Sequence, residues 1–209
     1  MFWIAAAAQL SAPYSLDPRA VFSPDDMPGY VQIAGINRYV PTRTTIRPDG
    51  QAQDCTTERS SGDPKLDALT CAIILKRAKF LAPRWVDGSA VFAVLRVPVS
   101  WVIGGPPPKE EIRRAYPPDM ELSVKGLPAS ARSPIEITLL VAVDENGKVV
   151  ACNEPPQPPV RRPQKRYPEL VSIACRYMTE QYTADPAEDE SGRPARSIQT
   201  ASVTFISER

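Results

Sequence analysis

The chain contains two copies of one unit, and this repeat restricts its fold more than any other feature of the sequence. With Gly50 set on Gly147, Cys55 falls on Cys152 without a gap, so that IRPDGQAQDC faces VDENGKVVAC. A second block keeps a constant offset of 104 from Leu66 to Leu170. There LDALTC faces LVSIAC, Asp87-Gly88 faces Ser191-Gly192, Val99 faces Val203 and Trp101 faces Phe205. The offset of the first block is 97, from Gly50 to Gly147, so the second copy is seven residues longer between the blocks. The excess falls in EPPQPPVRRPQKR, from Glu154 to Arg166. Self-similarity of this kind marks one supersecondary unit used twice.

Each copy reads as strand, tight turn, strand, helix, strand. In the first, Tyr39 to Arg47 leads into Pro48-Asp49-Gly50, where proline and glycine suit a turn, and Gln51 to Glu58 returns. In the second, the apolar run Ile135 to Val143 precedes Glu145-Asn146-Gly147, and Lys148 to Cys152 returns. A helix begins after Asp63, whose carboxylate can cap unpaired backbone N–H groups, with Pro64 at the tolerant first position. Leu66, Leu69, Ile73 and Phe80 then recur at helical spacing up to Pro83, and Leu170, Ile173, Tyr177 and Met178 form the matching stripe. The β-branched and aromatic run Ala90 to Ile103, with its counterpart Ser197 to Ile206, reads as the closing strand.

The four cysteines then have a place: each copy sets one on its second hairpin strand and one on the helix above it. Pairing Cys55 with Cys71 and Cys152 with Cys175 closes two short loops. A loop of this size contributes about 3 kcal/mol, a large share of the stability of so small a unit. The alternative is four buried thiols acting as small apolar groups. A zinc site is disfavoured, because there is no CxxC pair and no histidine to complete one.

Composition removes several functions. Without histidine, Ser-His-Asp and Cys-His catalysis cannot operate. A formal net charge of +1 supplies no field for nucleic acid. No cofactor motif is present, and the carboxylates Asp49, Asp87, Glu145 and Asp189 sit where turns need them, with no nucleophile or phosphate loop beside them. Trp101, on a terminal strand, reads as core more than as an interface anchor, and Trp85 is the other candidate anchor. Arg161, Arg162, Lys165 and Arg166 read as the solvated charges of a stiff, proline-rich surface loop.

The start MFWIAAAA, with small residues at Ala6, Ala8 and Ala12, reads as a secretory signal peptide over 1–12, although no Lys or Arg precedes it. The domain expectation is a first unit over 22–103, a proline-rich linker over 104–118 and a divergent second unit over 119–209.

These residues resemble a known family. The run Phe22-Ser23-Pro24-Asp25-Asp26-Met27-Pro28, then Arg47-Pro48-Asp49-Gly50 with Cys55, Ser60-Ser61-Gly62, Leu66-Asp67 with Cys71, Arg77-Ala78-Lys79-Phe80 and Asp87-Gly88 is similar to the TonB C-terminal domain in its cysteine-bearing form. The second copy keeps Gly147, both cysteines and Ser191-Gly192 but lacks the Ser-Ser-Gly and Phe positions. The resemblance implies an α+β fold of two tandem units, each a small antiparallel sheet with a helix on one face, and a periplasmic location. It implies no enzymatic activity and a protein partner, namely a TonB-dependent outer-membrane transporter or another envelope protein. That partner adds a strand to the edge formed by Val97, Val99 and Trp101 or by Val203 and Phe205.

Two departures qualify the resemblance. No stretch is long and apolar enough for a membrane helix. Pro98 interrupts the first receiving strand, whereas the second has Ser202 there and offers an unbroken row of donors. The competing expectation is an envelope module whose edges close on a second copy of itself as a homodimer.

Overall fold

The computed structural model describes Leu10 and residues 21–34, 37–102, 116–128, 133–155 and 166–208. The expected signal peptide, Leu10 apart, most of the 104–118 linker, and residues 156–165 with Arg161, Arg162 and Lys165 lie outside the described residues. The fold is α+β, and the chain divides into two compact units.

The N-terminal unit comprises Pro13–Ala82 and Ala93–Pro117. Strand β1 (Arg38–Ile46) runs through Pro48-Asp49-Gly50 into β2 (Ala52–Thr57). Helix α1 (Gly29–Ala34) precedes this hairpin and α2 (Pro64–Arg77) follows it. Strand β3 (Phe92–Trp101) then pairs antiparallel with β1, giving the order β2-β1-β3. The Asp63 carboxylate accepts from the N–H groups of Lys65 and Leu66 at 3.0 and 3.2 Å, as the sequence predicts, a cap contributing about 1 kcal/mol. Leu66, Ile73 and Ile74 of α2 are buried against the sheet. The helix is shorter than its apolar stripe suggests. It ends at Arg77, and Phe80 lies beyond it, its N–H donating to the Gly50 carbonyl at 2.9 Å.

The C-terminal unit comprises Pro83–Phe92 and Pro118–Arg209. Strands β5 (Ile135–Val143), β6 (Val149–Asn153) and β9 (Ser197–Ser207) form an antiparallel set in the order β6-β5-β9. Helix α3 (Pro168–Gln181) contributes Leu170, Ala174 and Met178 to a core shared with Leu139, Val141, Val203 and Phe205. A further strand, β4 (Met120–Val124), pairs parallel with β9 and makes the sheet mixed. A short hairpin of β7 (Ala187–Glu188) and β8 (Pro194–Ala195) precedes β9.

Some local features occur at matching sequence positions in both halves of the chain. The Ala184 N–H donates to the Gly147 carbonyl at 2.9 Å, as Phe80 does to Gly50. The bridge between Arg84 and Ala90 recurs, with the same offset, between Glu188 and Pro194. Both disulfides close within a unit, Cys55–Cys71 and Cys152–Cys175, each with Cα atoms 5.4 Å apart, and no cysteine is left free.

The boundary is where the sequence expectation needs correction. A first domain running unbroken over 22–103 does not describe the division, because Pro83–Phe92 groups with the C-terminal unit. There the Trp85 ring is buried beneath the Arg196 guanidinium, 5.4 Å from its centroid, which also satisfies the Glu145 carboxylate at 3.6 Å.

Gly50 and Gly147 have φ of 87° and 81°, and an added Cβ would overlap the carbonyl oxygens of Phe80 and Ala184 respectively. Gly192 has φ of 73° and open space around it. Gly192→Ala therefore carries only the left-handed backbone penalty of about 1–2 kcal/mol, and Gly147→Ala carries that plus a collision with backbone. Urea denaturation should rank Gly147→Ala clearly below Gly192→Ala. Equal losses would show that the close approach does not constrain the fold.

Candidate binding site along the last strands

In β3, the side chains that alternate toward α2 are core. Trp101 is 4% exposed, and its Nε1–H donates to Thr70 Oγ1 at 3.0 Å, while the Thr70 hydroxyl donates onward to the Leu66 carbonyl at 2.7 Å. The Phe22 ring meets Trp101 edge to face at 5.6 Å. Val99 is buried and Val97 half-buried beside them.

The backbone of β3 has two sides, and Pro98 shows which is which. The Glu58 N–H donates to the Pro41 carbonyl at 2.9 Å, so the Pro41 backbone faces β2. Its partner across β1 and β3 is Pro98, whose backbone therefore faces away from β1. Ser100, two residues on, has the same outward orientation. The N–H that Pro98 lacks is thus a donor missing from the outer side of β3, where a strand tolerates proline. Pro98 and Ser100 are both exposed.

Along this side runs a groove of about 410 Å³. Its walls include six consecutive residues of β3, Val97 to Val102. Successive side chains of a strand point to opposite faces, so a hollow touching all six approaches the strand edge-on. Ile74, Ala78 and Phe80 form the wall on the helix side, and Phe22, Pro24 and Met27 form the other. The second wall is fixed by charge-assisted bonds. The Ser23 N–H donates to Asp26 Oδ2 at 2.7 Å, and Arg77 donates to the same oxygen at 2.6 Å. The Arg77 guanidinium beside Asp26 holds its carboxyl below the ordinary range.

The opposite face of β1 and β3 carries Tyr39, Tyr116, Arg96 and Glu58. Arg96 donates to Glu58 at 3.2 Å and lies 5.6 Å from the Tyr116 ring centroid, while the Tyr116 hydroxyl donates to the Thr42 carbonyl at 3.3 Å. Burial pushes the Tyr39 phenol up to about 12 and the Tyr116 phenol upward as well, so both rings stay neutral. Tyr116, assigned to a linker from sequence, is packed against the sheet.

The corresponding strand of the C-terminal unit is different, and this corrects the expectation that Val203 and Phe205 form a receiving edge. Both are fully buried. On one side they pair with Ile137 and Ile135 of β5, and on the other with Met120 and Leu122 of β4. Just before β4, the Asp119 N–H donates to the Ser202 carbonyl at 2.9 Å and the Asp119 carboxylate accepts from the Ser202 N–H at 2.8 Å and from the Tyr182 hydroxyl at 3.2 Å. The Ser202 N–H is thus taken up by Asp119, and the strand beyond it by β4. Sequence reading missed β4 because Met-Glu-Leu-Ser-Val is short and has no counterpart in the first copy.

The acidic residues that sequence analysis weighed for catalysis are occupied locally. Asp49 accepts from the Gln51 N–H at 3.0 Å, Asp87 from the Ser89 N–H at 2.8 Å, and Asp189 from the N–H groups of Ser191 and Arg193. The backbone bonds at Asp49 and Asp189, and at Asp87 the Ser89 side chain followed by its N–H, hold all three carboxyls below their ordinary range. Among the described residues, no group of three or more Cys, Asp or Glu side chains is placed to hold a metal ion. No described helix is long and apolar enough to cross a membrane. No family model, curated protein or solved structure matches this chain.

The Asp26 carboxyl has a folded pKa lower than its ordinary value of 3.8. The stabilisation it supplies is therefore complete above the ordinary range and is lost as pH falls through the folded value. Amide spectra followed from neutral pH into acid should show the Ser23 N–H resonance moving only below about pH 4. Asp26→Asn should remove that step. A Ser23 shift near neutral pH, or an acid step that survives Asp26→Asn, would show that this carboxylate does not hold the groove wall.

Proposed function

We propose that this protein is a protein-binding module that takes an extended segment of another protein at the groove along Val97 to Val102 of β3. The observation that carries this reading is the groove at Val97 to Val102, which reaches the strand edge-on beside exposed Ser100. Strand addition uses such a place in two ways: backbone bonds supply affinity, and alternate side chains entering the hollow supply selectivity. The apolar walls from Phe22, Met27 and Phe80 suit side chains of an incoming strand.

The two disulfides suit an oxidising compartment, and the resemblance to cysteine-bearing TonB C-terminal domains makes the periplasm the compartment of this reading. On the same resemblance, the chain is a pair of tandem TonB-like units and the partner is a segment of a TonB-dependent outer-membrane transporter or of another envelope protein. Only the first unit receives it, since β4 lies along β9 in the second.

A photoreactive benzoylphenylalanine in place of Ser100 tests this in the producing cell, with the same probe at exposed Leu75 on α2 as control. The reading predicts adducts from position 100, absent from position 75, that map to one extended segment of an envelope protein. Adducts that map to a second copy of this chain, with a concentration-dependent mass, would replace the partner by self-association. Equal labelling from both positions would overturn the site.

A further inference from the structure

The two disulfides tie the same elements together but face different side chains. All four cysteines are half-buried, so exposure does not separate the pairs. In the N-terminal unit Thr44 of β1 stands opposite Cys55 of β2. The Glu58 N–H donates to the Pro41 carbonyl, and alternation from that bond makes Thr44 and Cys55 a pair without mutual backbone bonds, the kind whose side chains approach most closely. In the C-terminal unit, at the offset of 97, Val141 stands opposite Cys152. The helices repeat the contrast: four residues before Cys71 is Asp67, and four residues before Cys175 is Val171.

Thr44 is fully buried, and its hydroxyl has no hydrogen-bond partner. Thr42, on the same face of β1, is satisfied by donating to the Val97 carbonyl at 2.7 Å. A buried hydroxyl without a partner is a standing cost to the state that contains it. The sulfur of a disulfide is a weak acceptor, whereas a thiolate is a strong one. Once free of Cys71, the Cys55 sulfur can turn about its own Cα–Cβ bond and accept from Thr44. Val141 offers Cys152 no such donor. Beside the first disulfide lies an open hollow of about 530 Å³, lined by Cys55 and Cys71 together with Thr57, Ser60, Pro64 and Ala68. A thiol carried by another molecule therefore has a way to the bond.

We propose that Cys55–Cys71 is a reversible redox site opened by an external dithiol, with Thr44 as the donor that holds the freed Cys55 sulfur, while Cys152–Cys175 remains a structural bond. One thiolate of the dithiol enters the hollow and attacks Cys71 Sγ. The S–S bond breaks, and Cys55 leaves as a thiolate that accepts from the Thr44 hydroxyl. Cys71 is the poorer leaving group, because it lies one helical turn from the Asp67 carboxylate, which disfavours a second negative charge beside it. The second thiolate of the dithiol then attacks the mixed disulfide, closing the reagent to its own disulfide and releasing Cys71. Two electrons pass from the reagent to the cysteine pair. Of the two protons the reagent gives up, one goes to Cys71 and the other to solvent.

Opening this bond releases α2 from β2. The chain leaving α2 carries Ala78 and Phe80 to the wall of the groove, so the redox state of the pair sets how firmly that wall is held. The redox site itself does not depend on what the groove takes.

The test equilibrates the full, oxidised chain at pH 7 in graded ratios of reduced to oxidised dithiothreitol, alkylates the free thiols and quantifies each cysteine pair by peptide mass spectrometry. Cys55–Cys71 should open at a ratio roughly tenfold lower than Cys152–Cys175, the scale of one buried polar group gaining a partner. The near-ultraviolet circular dichroism of the fold should persist through that first step. Thr44→Val should close the gap by making the first pair harder to reduce, and Val141→Thr should narrow it by making the second pair easier. In the singly reduced protein the Phe80 amide, which donates to the Gly50 carbonyl at 2.9 Å, should exchange faster.

Opening of both pairs together with loss of the near-ultraviolet signal would mean that reduction requires unfolding, and would overturn the proposal. Earlier opening of Cys152–Cys175, or a gap that neither substitution alters, would overturn it as well. An unaltered Phe80 amide would overturn the coupling to the groove and leave the redox site standing.

Discussion

A single covalent tie in each unit, between the returning hairpin strand and the helix above it, holds the rest of that unit in place. Cys55 with Cys71 and Cys152 with Cys175 fix helix over sheet at the same Cα separation of 5.4 Å. Units this small bury too little apolar surface to tolerate a loose helix. Once the helix is pinned, its buried side chains define one face of the sheet, and the chain leaving it passes close over the turn glycine. In the N-terminal unit that exit carries Ala78 and Phe80 to the wall of the groove, so the disulfide sets the shape of the site from a distance.

The two units differ at the matching stretch of their last strands. The C-terminal unit spends it internally: Asp119 satisfies the Ser202 N–H, and β4 pairs along Val203 to Ser207. The N-terminal unit leaves an apolar hollow, walled by a segment that the Asp26 and Arg77 pair holds in place. Pro98 adds a second distinction, since a proline on an outer side removes one donor and lowers the tendency of that edge to join indiscriminately with other strands.

Much of this was legible in the residues, for reasons that differ by element. The hairpins, the Asp63 cap and the cysteine partners followed from Gly, Pro and Cys, whose conformational or covalent demands are local. The helix end was misplaced because Phe80 falls at helical spacing yet serves the approach to Gly50. The domain boundary was misplaced because the burial of Trp85 under Arg196 joins residues far apart in sequence. Val203 and Phe205 were assigned to an edge because their apolar character fits either an edge or a sheet interior. Only the pairing of β4, which five residues of mixed polarity do not announce, decides between the two.

The groove reaches the backbone of β3 at Ser100, whereas β4 covers the equivalent stretch of β9, and native-state hydrogen exchange reads this contrast directly. Ser100 and Thr204 occupy equivalent positions, and both N–H groups face away from the neighbouring hairpin strand. Without added ligand the account predicts that the Ser100 amide exchanges as a solvent-exposed group, while the Thr204 amide, facing β4, exchanges only through opening of the unit. Equal and strong protection of both amides would contradict it.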